Sequence, residues 1–263
     1  MKDSERNRVR ENKIKQMWAE GKQATLGWLS ISHSFTAEMM ARQGFDALCV
    51  DLQHGTNEAG DVLPMLQAVS QTDTVPFVRV AWNDPAAIMR ALDLGAYGII
   101  VPLVNNAEEA AQAVAACRYP PVGMRSSGPV RAAHYGGAGY QAGANDEIIV
   151  MAMIETKEGL ENLDAICATP GLDAVYIGPA DLSYALGLEP RADNPESVHL
   201  DTCNNILATA HKNEIKAVMH CAGAEFAAGA LERGFDMIML TSDLNSLVAG
   251  ARAQLDALNA KRS

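Results

Sequence analysis

The chain has 263 residues, 48% hydrophobic and 20% charged, which is ordinary globular composition and enough for one large domain with a substantial core. A net charge of −11 argues against a nucleic-acid or anionic-membrane partner, since both want a basic surface, but it does not exclude a small anion bound in a local cationic pocket. The five cysteines, Cys49, Cys117, Cys167, Cys203 and Cys221, are scattered and form no CxxC pair; this argues against structural zinc or a disulfide framework and for a reducing, cytoplasmic compartment.

Residues 1–22 are polar and charged and hold no apolar core of a signal peptide; they are expected to form an extension or helix ahead of a single domain spanning 23–263. No apolar run approaches the ~18 residues of a membrane span. From there, short apolar runs alternate with amphipathic stretches. The expected strands are Thr25–Ile31, Ala47–Asp51, Val75–Val80, Gly98–Val101, Ile148–Ile154, Ala174–Ile177, Lys216–Met219 and Met237–Thr241. Each is continuously apolar rather than alternating, the pattern of parallel strands buried on both faces. Helical patterns follow most of them: Ala59–Ser70, Pro85–Leu94, Ala107–Cys117, Lys157–Cys167, Ser197–His211 and Ala222–Arg233. Three helix-to-strand joins repeat one form, Gln43-Gly44-Phe45-Asp46, Leu94-Gly95-Ala96-Tyr97 and Arg233-Gly234-Phe235-Asp236, each with a glycine placed to end the helix in left-handed geometry. Eight βα units predict an α/β fold of the (β/α)8 TIM-barrel type. The stretch Arg118–Asn145, with Pro120-Pro121 and the run GGAGYQAGAN, reads as one long irregular segment.

Active sites of such barrels sit at the C-terminal ends of the strands. Those ends carry Trp28, then Asp51 and His54, Arg79, Glu155, and Gly178-Pro179-Ala180-Asp181. Asp84 before Pro85 reads as a helix N-cap with proline at the first helical position. Asp46 and Asp236 precede their strands and belong to the stability face. Glu155 and Asp181 read either as two loop-capping acids or as a pair sharing a cation, because adjacent carboxylates repel unless something intervenes. An arginine inside a strand needs a partner, and the planar fork of Arg79 suits a carboxylate. Among the histidines, His199 and His211 fall on an expected surface helix and are read as solvated. His33 lies near the first strand's mouth, His134 falls in the long segment, and the position of His220 after the seventh strand leaves it open as a site residue.

The runs FDALCVDLQHG, PFVRVAWNDP, GIIVPLVNNAEEA, MIETKEGLENLD and AVYIGPADLS resemble the HpcH/HpaI aldolase family of class II pyruvate aldolases, over about Leu26 to Leu255. The resemblance implies that Glu155 and Asp181 ligate a divalent metal ion (Mg²⁺, Mn²⁺ or Co²⁺), that His54 is the general base and that Arg79 holds pyruvate. It implies that Asp51 and Asp93 are acids near the base, with Asp93 reaching a neighbouring subunit's site. Trp28 matches a pocket tryptophan, and Gly178, Ala180 and the Asp181 backbone match the loop that receives the pyruvate carboxylate. Met153 stands where relatives often have glutamine, which makes this pocket less polar there.

The activity so implied is a lyase reaction, reversible cleavage of a 4-hydroxy-2-oxo acid to pyruvate and an aldehyde, with small-molecule substrates and no nucleic-acid or membrane partner. The runner-up is a citrate-lyase-like or malyl-coenzyme A lyase, which needs room for a coenzyme; a non-catalytic barrel is a third reading. A Schiff-base mechanism needs a lysine inside the barrel. The expected strands contain only Lys216, at the N-terminal edge of the seventh, so that mechanism is rejected. Aldehyde specificity is expected in the loop around Arg125-Ser126-Ser127-Gly128-Pro129-Val130-Arg131. The resemblance further implies a hexamer, a trimer of dimers, with the C-terminal helix exchanged between subunits. Leu244, Leu247, Val248, Ala251, Leu255 and Leu258 form a stripe suited to burying one helix face, on a partner or on the chain's own barrel.

Overall fold

In the computed structural model, which describes residues 8–262, eight parallel strands pair in chain order and close into a barrel. They are β1 (Ala24–Leu29), β2 (Ala47–Asp51), β3 (Val75–Arg79), β4 (Gly98–Val101), β5 (Ile149–Ile154), β6 (Ala174–Ile177), β7 (Lys216–His220) and β8 (Met237–Ser242). The expected (β/α)8 barrel is therefore the fold, with strand bounds close to those read from the apolar runs. Strands β2 to β6 are buried along their whole length, packed between the barrel interior and the helical layer, which is why they do not alternate. Residues 1–7 of the expected polar extension, and Ser263, lie outside the described residues.

The helices are α1 (Lys13–Ala19), α2 (Ser34–Ala41), α3 (Val62–Val69), α4 (Pro85–Asp93), α5 (Ala107–Cys117), α6 (Val130–Gly136), α7 (Tyr140–Glu147), α8 (Lys157–Glu161), α9 (Leu163–Cys167), α10 (Pro179–Ala185), α11 (Ser197–Lys212), α12 (Ala224–Arg233) and α13 (Asp243–Asn259). Asp84 caps α4 as expected, its carboxylate accepting from the Ala86 N–H at 3.0 Å with Pro85 in the first turn. Gly44, Gly95 and Gly234 have φ of +94°, +101° and +102°, the left-handed geometry expected at the three repeated joins.

Two helical expectations are corrected. The segment Arg118–Asn145 is not irregular throughout: it contains α6 and the start of α7, held down by Tyr140, which is fully buried beside Tyr97 and Arg125. Glycines spread through this stretch hide the helices from a propensity reading. The expected helix Lys157–Cys167 is two short helices broken at Asn162, whose side chain donates to the Asn105 carbonyl at 2.9 Å.

The N-terminal end of the barrel is a stability face. Asp46, Asp173 and Asp236 each precede a strand and each accept from the backbone N–H near the start of the strand before it: Thr25 at 3.0 Å, Val150 at 2.9 Å and Ala217 at 2.9 Å. Lysines complete the set, with Lys13 on Asp46, Lys15 on Asp173 and Lys216 on Asp236. Helix α1 thus lies across this end, burying Ile14 and Trp18. Lys216 is engaged at the end opposite the strand mouths.

Helix α13 does not bury its apolar stripe on its own barrel. Its first turn is tied down by Asp243, which accepts from the Ser30 and Ile31 N–H groups at 2.8 and 3.1 Å. Beyond it, Leu244, Leu247, Val248, Leu255 and Leu258 are all exposed, Leu247 to 63%. Among the described residues, no helix is long and apolar enough to cross a membrane. All five cysteines are free and buried.

Candidate active site

The strand register starts the site. Asp51 and Arg79 end β2 and β3 and are paired directly across the two strands. Their side chains meet as a two-point ion pair: Arg79 Nε donates to Asp51 Oδ1 at 2.8 Å and Nη2 to Oδ2 at 2.7 Å. Only 7% of Arg79 is exposed. Trp28 Nε1 donates to the same carboxylate at 3.1 Å, and the Arg79 guanidinium lies 4.8 Å from the Trp28 ring. Burial alone would raise the Asp51 carboxyl, but the Arg79 fork and the neighbouring N–H donors hold it below its ordinary value. Burial alone would lower Arg79, and Asp51 reverses that, so the guanidinium stays charged.

Asp51 also shapes the turn that carries His54. Its Oδ1 accepts from the Gln53 N–H at 3.0 Å and the His54 N–H at 3.4 Å. The buried Asn57 side chain donates to the Leu29 and Asp51 carbonyls at 2.8 and 3.0 Å, pinning the far side of the turn. His54 itself is exposed at the mouth of the cavity it lines.

Glu155 follows β5 and is buried; Asp181 stands in the first turn of α10, after β6. Burial, the largest influence, raises the Glu155 carboxyl to about 7; the Leu103 N–H opposes this and the Asp181 charge adds to it. That N–H donates to Glu155 Oε1 at 2.9 Å. Leu103 holds a left-handed φ of +53°, a conformation a leucine adopts only when its surroundings impose it. Gly178 leaves the space that Glu155 occupies: a Cβ there would collide with Glu155 Oε2 and meet Met153 Cε at 3.0 Å.

These groups enclose one cavity of about 270 Å³ at the C-terminal end of the barrel. It is lined by Trp28, Asp51, His54, Arg79, Glu155, Gly178, Ala180 and Asp181, all read from the sequence, and by Met153. The volume lies below the ~300–1,000 Å³ of sites for drug-sized ligands and suits a small acid. No lysine lines it. Two carboxylates at neighbouring strand mouths offer oxygen ligands to a hard divalent cation. Among the described residues no cluster of three or more His, Cys, Asp or Glu side chains forms. The set therefore fits a cation that keeps water and substrate oxygens in its remaining positions, as Mg²⁺ does, and not a closed structural site.

Asp93 does not join this cavity. It ends α4, and Arg125 Nη2 donates to it at 2.8 Å. Nor does the loop expected to set aldehyde specificity line the pocket of its own chain. Arg125 is fully buried on the Tyr119 and Tyr140 rings, and Arg131 donates to the Leu94 and Leu66 carbonyls. His199 is corrected from solvated to buried, 0% exposed, with Nδ1 3.7 Å from Cys203 Sγ; burial lowers its pKa. Its spacing with Cys203, Ile206, Leu207 and Ala210 is that of one buried helix face, a signal present in the sequence. His211 is exposed, as expected, and its Nε2 lies 2.8 Å from Asp236.

His220, which the sequence left open, lines the cavity at the end of β7, with Nδ1 2.8 Å from the Tyr176 hydroxyl. Burial, with Arg79 adding and Asp51 opposing, lowers its pKa to about 4.

A family model described as HpcH/HpaI aldolase/citrate lyase matches residues 24–249. The chain is 41% identical over 241 residues to a hydroxypyruvate/pyruvate aldolase of Rhizorhabdus wittichii, an alignment covering 92% of this chain and 96% of that protein. It is 37% identical over 239 residues to a 4-hydroxy-2-oxo-heptane-1,7-dioate aldolase of Salmonella dublin, covering 90% of each. The crystal structure of an HpcH/HpaI aldolase/citrate lyase family protein from Burkholderia cenocepacia superposes with a TM-score of 0.86 at 30% identity, covering 96% of this chain and 100% of that one.

Proposed function

The chain belongs to the HpcH/HpaI aldolase/citrate lyase family and is an aldolase, and from that premise we propose that it is a divalent-metal-dependent lyase cleaving 4-hydroxy-2-oxo acids to pyruvate and an aldehyde. One observation carries the site reading: Glu155 and Asp181 share a small cavity with an arginine held by a two-point carboxylate pair.

Glu155 and Asp181 would hold the divalent cation, which would supply Lewis-acid polarisation when bound. Arg79 holds the 2-oxo oxygen, oriented by Asp51 and backed by the Trp28 ring. The N–H groups of Ala180 and Asp181 stand in the first turn of α10, where no helical carbonyl takes them, and so are available to the C1 carboxylate. Met153 closes the β5 wall with an apolar surface. His54, at the mouth, takes the 4-hydroxyl proton through a water as the C3–C4 bond breaks. The bond's electron pair passes to C3 and is delocalised onto the 2-oxo oxygen beside Arg79, giving the pyruvate enolate; C4 leaves as the aldehyde carbon. Lys216, engaged with Asp236 at the other end of the barrel, plays no part.

The exposed stripe of α13 docks on a second copy of the chain in a homo-oligomer, a hexamer in this reading. Asp93 then serves a neighbour's site. Free, buried thiols suit a cytoplasmic setting.

The test is a retro-aldol assay over a panel of 4-hydroxy-2-oxo acids, read as pyruvate release, with chelator and with added Mg²⁺, Mn²⁺ or Co²⁺. Cleavage that chelation abolishes and metal restores is the expected result. Full activity in chelator, or a covalent adduct trapped by borohydride with pyruvate, overturns the proposal.

A further inference from the structure

Glu155 owes its direction to a residue outside the cavity. Between β4 and α5 the chain runs Pro102-Leu103-Val104-Asn105-Asn106. Leu103 takes the left-handed turn, φ +53°, and its N–H donates to Glu155 Oε1 at 2.9 Å. A leucine does not hold that turn by itself, because its Cβ crowds the following carbonyl there. Two residues on, Asn105 Nδ2 donates to the Leu103 carbonyl at 2.9 Å. The strained residue is therefore gripped at both of its backbone groups, by Glu155 on one and by Asn105 on the other.

All four polar groups of Asn105 are engaged. Besides the amide on Leu103, its N–H donates to Glu109 Oε2 at 2.7 Å, its carbonyl accepts from Asn162 Nδ2 at 2.9 Å, and its Oδ1 accepts from the Thr156 hydroxyl at 2.5 Å. Thr156 follows Glu155 directly and caps α8, accepting from the Gly159 N–H at 2.9 Å. Gly159 lets the two loops close, since a Cβ there would meet the Val104 carbonyl oxygen at 3.0 Å. Asn105 thus ties together the N–H that binds Glu155 and the backbone that carries Glu155, and it does so without lining the cavity. The outcome is an asymmetric carboxylate. Oε1 is taken by the Leu103 N–H, while Oε2 lies beside Gly178 on the cavity wall and accepts from no group among the described residues. One oxygen is left for a cation. Mg²⁺ demands near-ideal octahedral geometry, which the narrow bite of a two-oxygen carboxylate spoils, whereas Ca²⁺, larger and more flexible, accepts carboxylates through one oxygen or both.

We infer that Asn105 is a positioning residue for the cation site: by holding Leu103 in its left-handed turn it keeps Glu155 Oε1 on the Leu103 N–H, presents Oε2 alone, and so favours Mg²⁺ over Ca²⁺. This rests on the reading of Glu155 as a metal ligand given above and adds to it the residue that aims the ligand.

Calorimetry on the full chain measures Mg²⁺ and Ca²⁺ affinity. Asn105→Ala weakens Mg²⁺ binding roughly 10-fold or more, as for other lost partners of a metal ligand, and Ca²⁺ binding much less, so the preference for Mg²⁺ falls. Adding Leu103→Gly recovers part of the loss, because glycine takes a positive φ without help. A general loosening of the fold would weaken both cations alike and would not be rescued by a glycine. Equal losses for the two cations, or no recovery in the double variant, overturn the inference. An independent readout needs no metal: amide hydrogen exchange in ¹⁵N-leucine-labelled protein, with the Leu103 signal assigned by its loss in Leu103→Gly. Wild type protects the Leu103 amide. Asn105→Ala speeds its exchange roughly 10-fold or more, while the barrel leucines Leu26 and Leu48 stay protected. Asn105→Asp keeps an acceptor for Thr156 and loses only the donor to Leu103, so it gives the same fast exchange should the alanine variant fail to fold. Free exchange of Leu103 in wild type, or unchanged exchange in the Asn105 variants, overturns the inference. If wild type binds neither cation, the metal reading of Glu155 falls, and the exchange experiment still decides whether Asn105 holds Leu103.

Discussion

Replacing Asp51 by asparagine removes one charge and tests what holds the site in register. The carboxylate accepts from Arg79 Nε at 2.8 Å, Arg79 Nη2 at 2.7 Å, Trp28 Nε1 at 3.1 Å and the Gln53 N–H at 3.0 Å. An asparagine has one accepting oxygen. Whichever way the amide turns, its NH₂ points at a donor: at Arg79 Nη2 and Trp28, or at Arg79 Nε and the Gln53 N–H. Arg79, 7% exposed, loses its counter-charge. Breaking a buried pair from one side costs about 3–5 kcal/mol. At about 2–4 °C per kcal/mol for a domain near this size, the thermal midpoint falls by roughly 10 °C and the fold survives. The guanidinium then turns away from its present direction, and misplacing a positioning group by ~1 Å costs on the order of 10²-fold in rate. The assay runs two reactions side by side, retro-aldol cleavage and oxaloacetate decarboxylation, which form the same enolate. Both should fall roughly 100-fold in Asp51→Asn. If decarboxylation stays at the wild-type rate while cleavage alone falls, Asp51 serves only the His54 turn, and the account of Arg79 fails.

His54→Ala should separate the same two reactions: cleavage drops roughly 10²–10⁴-fold, as for a lost general base, while decarboxylation, which has no 4-hydroxyl proton to move, largely survives. Equal losses would place His54 on the enolate instead. Gly178→Ala puts a methyl into Glu155 Oε2 and should weaken Mn²⁺ binding in calorimetry at least 10-fold; unchanged affinity would remove Glu155 from the ligand set. His220 titrates at about 4 in the folded chain against an ordinary 6.5, so the folded state binds fewer protons between those values. Its contribution to stability is complete above about 6.5 and fades as pH falls toward 4, so urea unfolding of His220→Phe should lose about 2 kcal/mol less between pH 7 and pH 5 than wild type does. Leu247→Asp with Leu255→Asp charges the exposed stripe of α13 and should reduce the mass seen by light scattering to that of a smaller assembly; a wild-type monomer would refute the oligomer outright.

The barrel was legible because its signal is redundant. Eight continuously apolar runs, three repeated glycine joins and one capped helix all point to the same layers, and burial of β2 to β6 on both faces is what removes the alternation. The elements that escaped depend on contacts between distant parts of the chain. Helix α7 is polar, follows a glycine-rich approach and holds one glycine of its own, and it forms over Tyr140 because Tyr97 and Arg125 receive that ring. The break at Asn162 answers to the Asn105 carbonyl, 57 residues away. Arg125 looked like a specificity residue because it sits in a polar loop. Only the Tyr119 and Tyr140 rings, with Asp93, explain why a guanidinium is buried there.

The site divides along the same line. A strand end tells which side chains reach the mouth of a barrel, so Asp51, Arg79, Glu155 and Asp181 could be read in order. Protonation could not be read, because it is set across strands. Arg79 and Asp51 act on His220 in opposite directions, the first lowering and the second raising its pKa, and burial decides the outcome. A neutral imidazole beside a permanent cation is then stable without a counter-ion of its own. The Tyr176 hydroxyl, on the next strand, lies 2.8 Å from its Nδ1 and gives the ring a neutral partner. That arrangement lets one tier of the barrel hold a charged guanidinium and an uncharged imidazole with one aromatic ring between them, and neither group has to change its protonation for the other to keep its own.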